Sequence, residues 1–270
     1  MVQAFLRYWW RAGTLHGLHS PFVYALYRDV IRDRHAAPAI ASAVESLRQV
    51  LLQLKQTIEV TDLGAGSRGA NQPRRAVAQI TRYAQKPRRY AWLLHRLVRL
   101  CPAAHVLELG TSLGLTTAYL ADAVRADDSG KSSRDVTTGH VQTFEGCPNT
   151  AALARAHLER LGLSAQVQIT VGNLDDTLPT YVTDCPPVDV VFFDANHRYA
   201  PTVQYFTVCL PKIHNNSLFI FDDIHWSAEM EQAWATIQAH PLVTLTIDLF
   251  GVGLVFFRKE QPKQHFTLRF

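Results

Sequence analysis

The sequence predicts an α/β fold with a seven-stranded, mostly parallel sheet, an antiparallel C-terminal hairpin and an N-terminal helical cap. From His105 onward, short apolar runs alternate with amphipathic segments of helical spacing, the pattern of a parallel sheet covered on both faces. The chain then ends in two β-rich runs joined through Gly251 and Gly253. Residues 1–100 show only helical patterns, so we place the cap there.

Composition sets the scale and the domain boundary. The 270 residues, 47% of them hydrophobic, suffice for one α/β domain with an extension. Residues 1–100 carry 16 Lys and Arg against 5 Asp and Glu, a net charge of +11, whereas residues 101–270 carry a net charge of −7. We therefore predict a cap over 1–100 and a ligand-binding domain over 101–270. The basic cap either attracts an anionic partner or presents a solvated face.

Three sequence features that we do not find bear on where the protein is located in the cell. No apolar run reaches the roughly 18 residues of a membrane span, and the first residues carry no cleavage-site pattern. The four cysteines are scattered without a CxxC pair, which favours reduced thiols over a zinc site. We expect a cytoplasmic protein without a membrane segment.

The elements follow in order along the chain. Ser20 as N-cap and Pro21 at the first position predict the start of a cap helix, with two more helices over 39–56 and 90–101. Strands are predicted at 105–110, 140–146, 165–173, 188–196, 217–223, 242–250 and 253–259. Helices are predicted at 115–126, 149–163, 199–210 and 227–240, with Ser227 as an N-cap. The polar stretch 127–139 is an insertion, and the hairpin implies one antiparallel edge strand.

Two glycine-rich stretches compete as the cofactor loop: "EVTDLGAGSRG" at 59–69 and "VLELGTSLGLTT" at 106–117. Only the second ends a predicted strand and opens an amphipathic helix, and this is where a sheet of this kind binds ligands. Its GxxxG spacing is by itself a weak signal. The candidate cofactor residues in this loop are Glu108, Gly110, Thr111, Ser112 and Gly114.

The next two strands also end in polar or glycine residues. Glu145 ends the second strand, where an acid can accept hydrogen bonds from ribose hydroxyls. Gly172, Asn173 and Leu174 end the third strand, a suitable position for the edge of an adenine ring. Each residue taken alone also fits an ordinary turn. An acid or a glycine at three consecutive strand ends favours a nucleotide site.

The fourth and fifth strands end in acids and histidines. Asp194 and His197 follow the fourth strand, and Asp222, Asp223 and His225 follow the fifth. Neighbouring carboxylates repel each other unless they are protonated or bind a cation, and Mg²⁺ favours oxygen ligands. The two histidines titrate near neutral pH and are candidate bases. Alternatively, Asp222 or Asp223 caps the following helix and the histidines face solvent.

With these residues in view, the segment 105–259 resembles the class I S-adenosylmethionine-dependent methyltransferases, which have a Rossmann-like fold. "VLELGTSLGLTTAYLA" resembles their first motif, and Glu145 falls at the ribose-binding acid. "VDVVFFDANHRY" with "SLFIFDDIHWS" resembles the cation-dependent O-methyltransferases of the catechol and caffeoyl-coenzyme A type. Asp194, Asp222 and Asp223 match that group's metal ligands. Asp223 replaces the usual Asn, and His197 stands where the group often has a catalytic Lys.

The resemblance implies S-adenosylmethionine as the cofactor, Mg²⁺ or another divalent cation, and O-methylation of a small-molecule hydroxyl. It implies that Asp194 serves the cofactor, the metal and catalysis, that His197 removes the proton, and that His225 is the second candidate base. Open alternatives are N-methylation, RNA methylation through the basic segment 74–90, and an inactive cofactor-binding interaction module. No RNA-binding motif is present, which disfavours nucleic acid.

Two features remain outside this assignment. The aromatic residues near the N-terminus either form a homodimer surface or pack the cap on the sheet, and we favour packing; they are Tyr8, Trp9, Trp10, Phe22, Tyr24 and Tyr27. The glycine-rich loop from Asp62 to Gly69 is predicted to lie over the cofactor pocket, with Ser67 and Arg68 shaping the acceptor site.

Overall fold

The computed structural model describes residues 2–33, 37–61, 73–101, 104–125 and 139–270. The chain divides into two compact units, one formed by Met1–His35 with Val182–Phe270 and the other by Ala36–Tyr181. Within the described ranges, no helix combines the length and the apolar character needed to span a membrane. The domain boundary predicted near residue 100 stays a prediction.

The described residues form ten α-helices and ten strands, besides three short 3-10 helices and one π-helix. The helices are α1 (Val2–Arg11), α2 (Pro21–Leu26), α3 (Ala41–Gln53), α4 (Val77–Tyr83), α5 (Arg88–Val98), α6 (Leu115–Ala123), α7 (Pro148–Arg160), α8 (Leu174–Asp184), α9 (Tyr199–Cys209) and α10 (Ala228–Ala239). The strands are β1 (Thr57–Glu59), β2 (Arg74–Ala76), β3 (His105–Leu109), β4 (His140–Glu145), β5 (Val167–Val171), β6 (Val190–Phe193), β7 (Leu218–Asp222), β8 (Leu245–Asp248), β9 (Val252–Phe256) and β10 (Gln264–Thr267).

The unit Ala36–Tyr181 contains three parallel strands. β4 pairs with β3 on one side and with β5 on the other. Leu109 lies opposite Phe144, and Glu145 lies opposite Val171, so all three strands end at the same level. The predicted strand–helix alternation is confirmed here, with α6 after β3 and α7 after β4. This places the cofactor-loop candidates and Glu145 at one rim of the sheet.

A small hairpin carries the first glycine-rich loop. β1 and β2 are antiparallel, and the Val60 amide donates to the Pro73 carbonyl at 2.7 Å. Neither strand was predicted, since each is only three residues long and half-exposed. The loop residues 62–72, including Ser67 and Arg68, lie outside the described residues, so the predicted cover over the cofactor pocket stays a prediction.

The unit Met1–His35 with Val182–Phe270 contains the five strands β6 to β10. β6 and β7 are parallel, and β9 runs antiparallel between β7 and β8. β10 pairs in parallel with β8. All seven predicted strands form, and the sequence pattern missed β10. The expectation of an antiparallel edge strand was wrong, because β9 is flanked on both sides and β10 lies beyond β8.

Aromatic packing fixes the ends of β6 and β7. The rings of Phe193 and Phe221 stack at 4.2 Å between centroids, and Phe206 from α9 meets Phe221 edge-on at 6.0 Å. Phe206 and Phe221 are at most 2% exposed. A β-carbon at Gly253 would lie 2.6 Å from the Trp234 ring, so only glycine lets α10 approach β9. This close packing holds the ends of β6 and β7 in place, and so fixes the starting point of the residues that follow them.

The N-terminal aromatic residues divide into two groups. Tyr8 and Tyr27 are buried, and their hydroxyls donate to the carbonyls of Leu268 and Arg269. Trp9 and Trp10 are 46% and 90% exposed. We did not predict α1 from the sequence, although its polar residues Gln3, Arg7 and Arg11 recur at helical spacing. The homodimer surface stays a prediction.

Candidate active site

The loop from Gly110 to Gly114 is a tight turn that opens α6. The amides of Gly110 and Thr111 both donate to the Phe144 carbonyl, at 3.1 and 3.0 Å. Gly110, Ser112 and Gly114 have positive φ angles of 107°, 49° and 78°. Gly114 precedes the first residue of α6, where a β-carbon would lie 3.2 Å from that of Ala154. Glycine is needed there because other residues rarely adopt this conformation.

Glu108 lies beneath this loop. Its side chain is fully buried, and its Oε2 accepts hydrogen bonds from the hydroxyls of Thr117 and Thr143. The Thr111 hydroxyl also meets that of Thr143, at 2.6 Å. These contacts tie β3, β4 and α6 together under the loop. A direct bond from Glu108 or Thr111 to a cofactor stays a prediction.

Glu145 lies at the rim, half-buried, between two backbone donors. Its Oε2 accepts from the Ser112 amide at 2.8 Å, and its Oε1 accepts from the Cys147 amide at 2.9 Å. This arrangement orients the carboxylate at the rim, and the role of Glu145 as the ribose-binding acid stays a prediction.

The third strand end leads directly into α8. Gly172 has a positive φ of 147°, and its amide donates to the Glu145 carbonyl at 3.0 Å. The Asn173 side chain accepts from the Asp175 amide at 3.1 Å, and Leu174 is the first residue of α8. The structure thus brings Gly172 next to the backbone of Glu145. The adenine contacts of Asn173 and Leu174 stay predictions.

The same pattern, an aspartate followed three residues later by a histidine, occurs at the ends of β6 and β7. Asp194-Ala-Asn-His197 follows the first strand, and Asp222-Asp-Ile-His225 covers the end of the second. Phe193 lies opposite Phe221 in the parallel register, so Asp194 and Asp222 occupy equivalent positions on neighbouring strands. We call these the first and the second Asp-x-x-His segment.

The first segment and Asp222 form a potential cation site. One ligand atom from each of Asp194, His197 and Asp222 lies within 4.8 Å of the others. The Nε2 of His197 is 3.5 Å from Oδ1 of Asp194, with side-chain exposures of 27% and 17%. Asp222 is 1% exposed. The structure therefore brings together three residues from two adjacent strand ends.

Asp223 is not part of this group of ligand atoms among the described residues. It has a positive φ of 52°, and its amide donates to the Gly251 carbonyl at 2.9 Å. The alternative role as a helix cap falls to Ser227, whose hydroxyl accepts from the Met230 amide at 3.2 Å. Metal ligation by Asp223 stays a prediction.

His225 is directed to different partners. Its Nε2 lies 2.8 Å from Asp248, and its Nδ1 lies 3.2 Å from Glu231. Its ring stacks on Phe250 at 5.4 Å. Burial lowers the pKa of His225, but the hydrogen bonds and charges of Asp248 and Glu231 outweigh burial and raise this pKa above its ordinary value. The two carboxylates thus favour the protonated form of the ring, which disfavours His225 as a base.

The residues around His225 line a cavity of about 230 Å³ that also receives side chains from α1. Arg7 donates to Glu231 at 3.2 Å, so Glu231 links α1 to His225. Sequence reasoning missed Asp248, although it ends a strand and the rule applied to the other strands would have identified it. It also missed Gln85, which donates to the Ser112 hydroxyl at 2.8 Å, because nothing in the sequence marks that residue.

Comparison with known proteins covers the residues from β3 to the end of β7. Residues 107–224 match the family model described as a methyltransferase domain. A catechol O-methyltransferase of Niastella koreensis is 33% identical over 48% of this chain and 54% of its own length. A catechol O-methyltransferase of Mycobacterium tuberculosis is 31% identical over 45% of this chain and 49% of its own length. The chain thus spans about half the length of these curated relatives.

A solved structure supports the fold over a longer stretch. The O-methyltransferase of Bacillus cereus in complex with SAH has a TM-score of 0.56 and 19% sequence identity. The match covers 86% of this chain and 97% of that chain. At this identity the likeness concerns the fold, and it agrees with the mostly parallel sheet predicted from the sequence.

Proposed function

We propose that this chain, whose residues 107–224 match a methyltransferase-domain model, is a class I S-adenosylmethionine-dependent methyltransferase that methylates a hydroxyl group of a small molecule with the help of a divalent cation. The observation that carries the proposal is the cluster of Asp194, His197 and Asp222 at two adjacent strand ends of such a domain. Two of the curated relatives are catechol O-methyltransferases, which favours an aromatic vicinal diol as the acceptor.

The strand ends of the unit Ala36–Tyr181 fit the cofactor. Glu145, whose carboxylate the amides of Ser112 and Cys147 orient, would accept hydrogen bonds from the two ribose hydroxyls. Gly110 and Gly114 allow the backbone to turn closely at the start of α6. When bound, S-adenosylmethionine supplies an electrophilic sulfonium methyl group. The residues of this chain hold and orient it.

The cluster at β6 and β7 fits a cation. Two carboxylates and an imidazole within 4.8 Å of one another are suitable donors, and the buried Asp222 carboxylate benefits from a positive partner. When bound, a divalent cation lowers the pKa of a coordinated hydroxyl group and fixes its position. Asp194 and Asp222 would hold the ion.

The protein's contribution to methyl transfer is then mainly positional. Alignment of the attacking oxygen with the methyl group is worth about 7–11 kcal/mol when the geometry is good. The stacked rings of Phe193 and Phe221 keep the two aspartate-bearing strand ends in register. His197 can act either as a ligand of the ion or as the base, but not as both. An imidazole nitrogen that ligates the ion has no lone pair left to accept a proton.

A labelling experiment tests this function. The protein is incubated with S-adenosylmethionine carrying a trideuterated methyl group, Mn²⁺ or Mg²⁺, and catechol, phenol or aniline in turn. We expect mass spectrometry to find the labelled methyl on a catechol oxygen, with weaker transfer to phenol and none to aniline. Transfer to aniline alone, or no binding of S-adenosylmethionine by calorimetry, would contradict the proposal.

Variants separate the site from the fold. Asp222→Asn should abolish the labelled product, since Asp222 lies in the cation cluster. The matched control is Asp189→Asn, because Asp189 also pairs with a histidine, His214 at 3.0 Å, but lies outside that cluster. Equal activity of the two variants would show that the cluster is not the reaction site.

A further inference from the structure

The first Asp-x-x-His segment has an unusual backbone. Asn196 and His197 are consecutive residues in the left-handed region, with φ angles of 65° and 38°. Non-glycine residues rarely adopt this conformation, and each costs on the order of 1–3 kcal/mol when the surroundings enforce it. Here the Asn196 amide group donates to the Tyr205 hydroxyl at 2.6 Å and holds the turn. The turn brings the His197 ring back to the start of its own segment.

The distance between this ring and its carboxylate differs from the other His–Asp pairs. Three such pairs in the described chain have hydrogen-bond distances: His95–Asp122 at 3.0 Å, His214–Asp189 at 3.0 Å and His225–Asp248 at 2.8 Å. His197 and Asp194 are 3.5 Å apart. This distance is longer than that of an ordinary hydrogen bond.

The longer distance suits two ligands of one ion. For ligand atoms about 2.1 Å from a metal, neighbouring donors lie about 3.0–3.4 Å apart in octahedral or tetrahedral geometry. The Asp222 carboxylate, also within 4.8 Å of both, supplies a third donor from the adjacent strand. Small side-chain movements would place all three atoms around one centre.

We propose that His197 is a ligand of the cation rather than the base, and that the site prefers a first-row transition ion such as Mn²⁺ or Co²⁺ over Mg²⁺. The inference rests on the proposed function only in taking the same cluster as the cation site. An oxygen-only set suits Mg²⁺, whereas an imidazole nitrogen shifts preference toward ions that accept nitrogen ligands. His197 thus selects the metal.

Metal binding without cofactor or acceptor tests the proposal. The full chain, freed of metal by chelation, is titrated with Mn²⁺ and with Mg²⁺ by calorimetry. We expect Mn²⁺ to bind at least about tenfold more tightly than Mg²⁺. His197→Gln should weaken Mn²⁺ binding about 10- to 100-fold and Mg²⁺ binding much less, so that the preference shrinks.

His214→Gln is the matched control. His214 is a partly exposed histidine that pairs with Asp189, and it should retain the Mn²⁺ preference of the unmodified protein. Unchanged Mn²⁺ affinity in folded His197→Gln, or a failure of the unmodified protein to bind either ion, would overturn the proposal. Circular dichroism checks that each variant is folded. If His197→Gln does not fold, His197→Asn replaces it in the titration.

A spectroscopic measurement identifies the nitrogen directly. Pulsed electron paramagnetic resonance of the Mn²⁺-loaded protein should show modulation from one coordinated imidazole nitrogen, which His197→Gln removes and His214→Gln keeps. Persistence of the signal in His197→Gln would overturn the assignment. Neither measurement requires methyl transfer, so failure of the proposed function would appear separately, as absent product from a protein that still binds Mn²⁺.

Discussion

The two Asp-x-x-His segments have the same spacing, follow neighbouring parallel strands and place their histidines in different environments. In the first, His197 turns back toward Asp194 and Asp222. In the second, His225 lies between Asp248 and Glu231 and is not among the ligand atoms near Asp222. One histidine belongs to the candidate cation site, and the other joins α1 and α10 to the end of β8.

Backbone handedness separates the two segments. The first has left-handed residues at its third and fourth positions, Asn196 and His197, whereas the second has one at its second position, Asp223. Ile224 then enters the core at 1% exposure and directs His225 elsewhere. A shared motif therefore fixes where a side chain starts, while the turn that follows decides what it reaches.

The largest expected effect separates the two aspartates near these histidines. Asp222→Asn should reduce kcat/KM about 100-fold or more, because it removes a charged donor from the cation cluster. Asp248→Asn should leave kcat/KM within about threefold and mainly lower thermal stability, since Asp248 holds His225. Steady-state kinetics and thermal melts of both variants check this difference. Comparable losses of activity in Asp222→Asn and Asp248→Asn would show that both segments belong to one reaction site.

The second prediction concerns the cofactor half. Glu145→Gln should weaken S-adenosylmethionine binding about 10- to 100-fold, because charge-assisted hydrogen bonds are worth about 1.5–3 kcal/mol each. Binding of Mn²⁺ should not change, since Glu145 lies outside the cation cluster. Calorimetry with each ligand measures both quantities. Glu159→Gln, an exposed change on α7, is the control and should match the unmodified protein.

The third prediction concerns pH and the second segment. The folded-state pKa of His225 is raised, so its ion pairs stabilise the fold fully below the unfolded pKa of about 6.5 and lose this contribution as pH rises through the folded pKa. His225→Gln should lower the free energy of unfolding by about 1–3 kcal/mol at about pH 5.5, and by less at about pH 8.5.

Urea unfolding at both pH values measures that difference. The exposed His16 provides a control, since His16→Gln should change stability little at either pH. A deficit for His225→Gln that grows with pH would contradict the assigned charge state of the ring.

The smallest expected effect is at the surface of the same network. Arg7 is 64% exposed at its side chain and pairs with Glu231 at 3.2 Å. Arg7→Ala should cost at most about 0.5–1 kcal/mol of stability, as is usual for exposed ion pairs, and should leave methyl transfer unchanged. Urea unfolding and the labelling assay check both. A large loss of activity would place α1 in the reaction site.

The sequence predicted the strand ends well and the turns beyond them poorly. Asp194, Asp222 and Glu145 were correctly placed at strand ends, because the alternation of strands and helices predicts a parallel sheet whose strands align their carboxyl ends. The diverging paths of His197 and His225 were not predictable, because they depend on left-handed residues that no side-chain pattern marks. Gln85 was missed for a similar reason, since its contact with Ser112 arises from tertiary packing.

Removal and return of the cation test the central claim most directly. The account predicts that chelation stops transfer of the labelled methyl group to catechol, that Mn²⁺ restores it, and that Asp222→Asn is not restored at the same Mn²⁺ concentration. Undiminished transfer after complete chelation, verified by elemental analysis of the protein, would contradict cation-assisted methylation at the ends of β6 and β7.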